Sequence, residues 1–212
     1  MKELLKKYKH AWVFIYMIPY LIWYFGLQQI SHKLAFTDVY TSVDASLPFV
    51  SLFIWPYVYW YFFVVGTVVY FFFKDKSSFY KNVAFLFIGM TICLIIFTVF
   101  PTTFDHRPIN WSADPLSAYF IRFIYTADKC QNVFPSIHVY NSIGCAIALC
   151  HYQGFKHPKT VKVAGIVSAI LITLSTMFIK QHSILDAVAA SVLSIIMYIL
   201  VYKINWKKLF KK

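Results

Sequence analysis

Six apolar stretches, at about residues 11–28, 47–73, 82–100, 134–152, 161–179 and 184–204, leave this chain few ways to fold. Each is close to the ~20 residues that an α-helix needs to cross the hydrocarbon layer of a bilayer. Backbone polar groups in that layer must be bonded within the protein, which favours helices over irregular chain. The expectation is an all-α, polytopic membrane protein with six transmembrane helices, a single integral domain over residues 1–212, and both termini on one side. Pro56 falls inside the second run and is expected to kink it, because proline removes one backbone bond and clashes with the preceding turn.

Composition agrees. The chain is 60% hydrophobic and only 13% charged, against roughly 25% charged residues in an average soluble domain. The net charge of +12 does not indicate nucleic acid, because the lysines punctuate apolar runs of spanning length instead of gathering on a polar face. Cys93, Cys145 and Cys150 lie in apolar runs and Cys130 in a polar loop, with no CxxC or Cys/His spacing. Four unpaired thiols and no zinc site are expected. The N-terminal apolar run is too long for a signal-peptide core and has no clear small-residue cleavage site, so it reads as a retained first helix. Trp55, Trp60 and the many tyrosines read as packing or interfacial anchors.

Lysine distribution sets the sidedness. With the N-terminus cytoplasmic, the inner segments hold fifteen of the twenty basic residues: Lys2, Lys6, Lys7, Lys9, Lys74, Lys76, Lys81, Lys156, Lys159, Lys162, Lys203, Lys207, Lys208, Lys211 and Lys212. The outer segments keep Lys33, Arg107, Arg122, Lys129 and Lys180, together with six of the eight acids: Asp38, Asp44, Asp105, Asp114, Asp128 and Asp186. The one long loop, 101–133, lies on this outer face between the third and fourth helices, and long loops in compact proteins are usually functional or disordered. After Pro115, the residues Leu116, Tyr119, Phe120, Phe123 and Ile124 recur at helical spacing, which predicts a short interfacial helix there.

Three segments that carry reactive side chains fall on that same outer face. "TTFDHRPIN" supplies Arg107, "NVFPSIHVYNS" supplies Ser136 and His138 where the fourth helix begins, and "STMFIKQHSILD" supplies Lys180, His182 and Asp186 at the turn into the sixth. Ionisable groups at membrane depth are costly and usually face a protein interior or a wet site. His182 and Asp186 are four apart, so a carboxylate can hold one ring N–H and leave the other nitrogen as nucleophile or base. Ser183 with Asp186 also fits a capping box, which would only start a helix. A helix start is itself an anion site, so the Ser136 hydroxyl and the amides of Ile137 and His138 can receive phosphate oxygens. A second histidine lets nucleophile and acid/base be separate groups. Arg107 and Lys180 would neutralise a developing phosphoryl charge without a metal or other cofactor; Arg107 could equally anchor lipid head groups. Asp128, Lys129 and Asn132 read as groups that order the loop.

These residues resemble the type 2 phosphatidic acid phosphatase superfamily, whose pattern is an arginine-proline motif, then PSxH, then a histidine with aspartate four residues later. Here they stand as Arg107 and Pro108, Pro135 to His138, and His182 with Asp186, the third motif opening at Ser175. The resemblance covers about residues 101–190. It implies that His182 attacks phosphorus to form a phosphohistidine, that Asp186 orients it, that His138 acts as acid and then base, and that Arg107 and Ser136 hold the phosphoryl oxygens. The chain departs from the pattern at Phe100, where a lysine is usual, at Ile137 in place of glycine, and at Thr176 in place of arginine. Lys180, four residues beyond Thr176, is expected on the same helix face as a replacement cation. The combination looks most like the branch that includes inositol phosphorylceramide synthase-like members and many bacterial phosphatases.

The expected function is a cell-membrane lipid phosphate or pyrophosphate phosphatase with its site on the outer face, its partners being the lipid substrate and the surrounding bilayer. A lipid head-group phosphotransferase is the alternative, since a hydroxyl can replace water. A non-catalytic lipid translocator is the reading from a different class; six spans without evident inverted repeats weigh against it.

Overall fold

A computed structural model describes residues 7–204 of the chain. Lys2, Lys6, Lys207, Lys208, Lys211 and Lys212, counted above on the inner side, lie outside the described residues. The fold is all-α apart from one pair of two-residue strands. Helix α1 covers Lys9–Gln29 and opens as a 3-10 stretch, Lys9–Tyr16. It is followed by α2 (Ser42–Ser46), α3 (Ile54–Lys74), α4 (Lys76–Val99), α5 (Pro115–Ala127), α6 (Ile137–His151), α7 (Pro158–Phe178) and α8 (Ile184–Tyr198), the last continuing through a π turn, Ile199–Lys203.

Among the described residues, five helical stretches are long and apolar enough to cross a membrane: Lys9–Gln29, Ser51–Lys74, Lys76–Val99, Pro158–Phe178 and Ile184–Lys203. The protein is therefore a multi-pass membrane protein. The expected fourth span is shorter than its apolar run. Phe134 and Pro135 precede the helix and Ser136 caps it, so α6 has only 15 residues, or about 22 Å at 1.5 Å per residue. What α6 lacks in length it makes up in burial. Nine of its residues, among them Val139, Tyr140, Asn141 and Cys145, are buried, and it packs against α3, α4, α7 and α8. It is the central post of the bundle.

Close packing of that post requires small residues on its neighbour. The Tyr140 ring stacks on Phe85 at 4.9 Å between centroids, and its hydroxyl donates to the Phe85 carbonyl at 2.6 Å. A Cβ at Gly89 of α4 would fall on the Tyr140 ring, and one at Gly144 of α6 would lie 2.5 Å from Phe85. Outside this core the spans present apolar side chains outward, as at Trp12, Ile22, Phe62, Phe73, Ile170 and Ile195, which is how a lipid-facing surface is built.

The second run differs from expectation in its first third. Residues 47–50 are not helical, Ser51–Phe53 is a single 3-10 turn, and α3 begins at Ile54. Pro56 thus sits in the first turn of α3, where a missing N–H is tolerated, and not in the interior of the helix. The loops at residues 30–41 and 100–114 are tied together by backbone pairing. Strands β1 (Thr37–Asp38) and β2 (Thr102–Thr103) pair in parallel, Thr37 with Thr102 and Asp38 with Thr103, and Thr103 bridges to Gln131. The loops before α2 and after α4 are therefore tied into one platform.

The short helix expected after Pro115 is α5. Asp114 caps it by accepting from the N–H groups of Leu116 and Ser117 at 3.1 and 3.0 Å. Its two sides divide: Ile121 and Ile124 are buried against Ile54 and Tyr57 of α3, while Leu116, Tyr119 and Phe123 are exposed, the arrangement of a helix lying at an apolar boundary.

Replacing Gly89 with alanine should destabilise the bundle by about 1 to 3 kcal/mol, the range for overpacking a close helix contact. Thermal unfolding in detergent measures it, with Gly26→Ala as control, since a Cβ there meets nothing within 4 Å. Equal midpoints for the two variants would contradict the α4–α6 contact.

Candidate active site

The starts of α6 and α8 lie side by side, joined by a bond from the Ser136 N–H to the Asp186 carbonyl at 3.2 Å. Each start is capped by its own serine. Ser136 Oγ accepts from the Val139 N–H at 3.4 Å, and Ser183 Oγ accepts from the Leu185 N–H at 3.2 Å. The first backbone bond of α6 runs from Tyr140 N–H to the Ser136 carbonyl at 3.0 Å, so the amides of Ile137 and His138 precede the ladder and keep the donor character of a helix N-terminus.

The capping box expected at Ser183 and Asp186 is present, and it coexists with the histidine contact. Asp186 Oδ2 accepts from the Ser183 N–H at 3.0 Å and lies 3.0 Å from His182 Nδ1. The carboxylate is fully buried. With its Nδ1 proton on Asp186, His182 presents the Nε2 lone pair, a tautomer assigned from the hydrogen-bond network. That Nε2 lies 3.3 Å from His138 Nδ1. On its other edge, His138 Nε2 stands 3.7 Å from Asp128 Oδ2, and Tyr57 Oη donates to the same oxygen at 2.6 Å. Tyr57 and Trp60 pack against the His138 ring in tilted arrangements, with centroids at 4.7 and 4.4 Å.

Arg107 reaches this cluster from the long loop. Its Nη1 donates to the Tyr125 carbonyl at 2.8 Å, and its Nη2 to the Asp128 carbonyl at 2.6 Å and to Gln181 Oε1. The guanidinium also stacks over Tyr125 at 4.0 Å. Its Nε is buried without a protein partner, as is the side-chain amide nitrogen of Gln181. Two donors thus remain open beside His182.

Lys180 is placed differently from the helical spacing. Helix α7 ends at Phe178, and Lys180 takes a left-handed conformation, φ 54°, a position usually given to glycine at a helix end. The four-residue register from Thr176 therefore does not carry through. The carbonyl of Thr176 instead accepts the N–H groups of both Gln181 and His182, at 2.9 and 3.0 Å. The Lys180 ammonium donates to the carbonyls of Asp44 and Leu47 at 2.8 and 2.6 Å.

That contact leads to a group that sequence reasoning missed. Asp44, 1% exposed, comes from the short helix α2 and accepts from Ser183 Oγ at 2.7 Å and the Ile184 N–H at 2.8 Å, besides the N–H and hydroxyl of Thr41. Its Thr41–Asp44 spacing shows in the sequence as a local cap; nothing local reports that the same carboxylate reaches α8, 140 positions away. Tyr57, Trp60 and Gln181 were likewise invisible as site residues, because tyrosine and tryptophan are common at membrane boundaries. Cys130, expected in a polar loop, is buried with its thiol near Gln181 at 3.9 Å.

The sequence profile of the PAP2 superfamily matches residues 83–210, more than half of the chain and all three motif segments. The chain belongs to the PAP2 superfamily. No curated protein and no solved structure matches it. PAP2 membership makes it a phosphatase-type enzyme with a phosphate-monoester substrate. The PAP2 match begins on α4 and takes in the α6–α8 pair, whereas Tyr57, Trp60 and Asp44 come from the part of the chain before it.

Asp44 carries a pH dependence. Burial works against its ionisation, but the bonds from Ser183, Ile184 and Thr41 outweigh that and hold its carboxyl below the usual range. A depressed folded-state value means that this stabilisation is complete above the unfolded carboxylate value, ~3.9, and is lost as pH falls through the folded value. Asp44→Ala should cost about 2 to 4 kcal/mol by leaving buried donors without an acceptor. Unfolding midpoints followed from pH 7 to pH 3 should show wild type converging towards the variant at the acid end; parallel curves would contradict the assignment.

Proposed function

We propose that this protein hydrolyses a lipid phosphate or pyrophosphate monoester through a phosphohistidine, at the outer face of a cell membrane. The observation that carries the proposal is the Asp186–His182–His138 chain of contacts, 3.0 and 3.3 Å, in which one histidine is oriented as nucleophile and the other lies next to its attacking atom. His182 Nε2 attacks phosphorus, the phosphorus–oxygen bond to the lipid breaks, and His138 gives its Nδ1 proton to the leaving oxygen. Water then attacks the phosphohistidine, His138 takes its proton, and the phosphorus–nitrogen bond breaks to release phosphate. Asp186 stays ionised throughout and stabilises the His182 ring as it gains positive charge.

The phosphoryl oxygens are assigned to Arg107, Ser136 and the α6 amides of Ile137 and His138, with the open donors of Arg107 Nε and Gln181 beside them. Lys180 contributes positive charge from a distance, since two of its three N–H bonds are engaged by carbonyls; its effect on chemistry is correspondingly indirect. In the membrane, α6 serves as a sixth, short crossing, so both termini are cytoplasmic, and the lysine bias puts the starts of α6 and α8 outside. A lipid substrate is favoured by the exposed apolar side of α5 next to the loop that bears Arg107.

The three segments PTTF..RP, NVFPSIH and KQHSILD taken together look most like the inositol phosphorylceramide synthase-like branch, so transfer to a lipid hydroxyl is the second reading. Purified protein offered lipid phosphates, pyrophosphates and phosphodiesters, with and without alcohol acceptors, separates the readings. Released phosphate supports hydrolysis, new phosphate esters support transfer, and binding without turnover supports translocation.

Two outcomes are expected with a labelled substrate. His182→Ala should lose turnover by at least ~10³-fold and form no acid-labile phosphoprotein, whereas His138→Ala should accumulate one slowly. Normal labelling of His182→Ala would overturn the nucleophile assignment. Activity should persist in a strong chelator; loss that added divalent cation restores would count against a metal-independent mechanism.

A further inference from the structure

We propose that Asp128, held by Tyr57, is the positioning residue for His138, so that each histidine of the site has its own carboxylate. This rests on the two-histidine mechanism proposed above. The four groups form one line: Asp186 Oδ2 to His182 Nδ1 at 3.0 Å, His182 Nε2 to His138 Nδ1 at 3.3 Å, and His138 Nε2 to Asp128 Oδ2 at 3.7 Å. His182 is fixed with one ring nitrogen on a carboxylate and the other facing the reaction. Asp128 fixes His138 in the same sense, leaving Nδ1 as the atom that gives and takes the proton.

Among the described residues, the side chain of Asp128 bonds Tyr57 and faces His138. Its backbone already ends α5, with its N–H on the Ile124 carbonyl at 2.8 Å, and its carbonyl holds Arg107 at 2.6 Å. The carboxylate points to Tyr57 and His138. Tyr57 is fully buried, donates to Asp128 Oδ2 at 2.6 Å and lays its ring on His138, so one side chain sets both the carboxylate and the imidazole plane. A separation of 3.7 Å is that of an ion pair and not of a formed hydrogen bond, which suits a carboxylate that matters most when His138 is the imidazolium. To act as acid in the first half-reaction His138 must be the imidazolium, the form that a neighbouring carboxylate favours; it loses Nδ1–H to the leaving oxygen, and in the second half-reaction it regains a proton from water. Asp128 neither gains nor loses a proton; it stabilises the charged ring at the start and end of the cycle.

The test uses leaving groups that differ in their need for a proton. A nitrophenolate departs without one, whereas an alkoxide does not. In full-length Asp128→Asn, the rate of His182 phosphorylation measured by rapid quench should fall by about 100-fold or more with an alkyl phosphate, yet stay within about 3-fold of wild type with nitrophenyl phosphate. Tyr57→Phe should show the same split with a smaller loss, and Asp128→Glu should recover part of the alkyl rate. Equal losses with both esters, or no loss with either, would overturn the role of Asp128, because a residue that merely orders the loop affects both alike. If Asp128→Asn does not fold, Tyr57→Phe decides by the same ratio. The mechanism underneath is judged separately: covalent labelling of His182→Ala would sink it whatever Asp128 does.

Discussion

The arrangement of the site depends on one buried carboxylate that takes no part in the proposed chemistry. Asp44 binds the hydroxyl of Ser183 and the N–H of Ile184, which are the cap and first residue of α8. A helix N-terminus left open at a membrane boundary exposes unbonded amides, and an anion there is favoured by the helix dipole as well. Fixing that turn fixes the capping box, and with it the Asp186 oxygen that His182 uses. Lys180 strengthens the same junction from the opposite direction by holding the carbonyls of Asp44 and Leu47. The loop between α1 and α3 is thus a structural part of a candidate site whose proposed reactive residues all lie in the second half of the chain.

What could be read in the sequence was what repeats or what is local. The apolar runs identified the spanning helices, Asp114 and Pro115 located α5, and PSIH and HSILD marked the capped starts of α6 and α8. What could not be read falls into two physical kinds. One is length set by caps: hydropathy counted Phe134, Pro135 and Ser136 as part of a span, though Pro135 precedes the cap and Ser136 is the cap itself. The other is contact across long sequence separation, as for Asp44 with Ser183, Tyr57 with Asp128, and β1 with β2. Periodicity carries no information about those pairs.

Lys180 illustrates where a helical rule stops applying. Counting four residues from Thr176 assumes a continuous helix, but the chain leaves the helix after Phe178 and Lys180 adopts φ 54°. A side chain beyond a helix end is aimed by the turn, and this turn aims the ammonium at the carbonyls of Asp44 and Leu47. A non-glycine residue in that conformation costs of order 1 kcal/mol, and the two carbonyl bonds of the ammonium are what offset it. The same turn brings the N–H groups of Gln181 and His182 onto one carbonyl, which seats Gln181 against Arg107 and His182 against Asp186.

The shortness of α6 has a consequence for depth. A helix of about 22 Å cannot reach both edges of a hydrocarbon layer of about 30 Å. If its C-terminal end is level with one edge, His138 lies roughly 8 Å short of the other. On the proposed lipid phosphatase reading, a reaction centre at that level meets a phosphate that has sunk below its neighbours' head groups, so the lipid need not be lifted out of the leaflet. On the same proposed reading the two products part by direction: the dephosphorylated lipid is already at the height of the acyl chains and moves sideways, while inorganic phosphate leaves towards the platform of β1, β2 and the Arg107 loop.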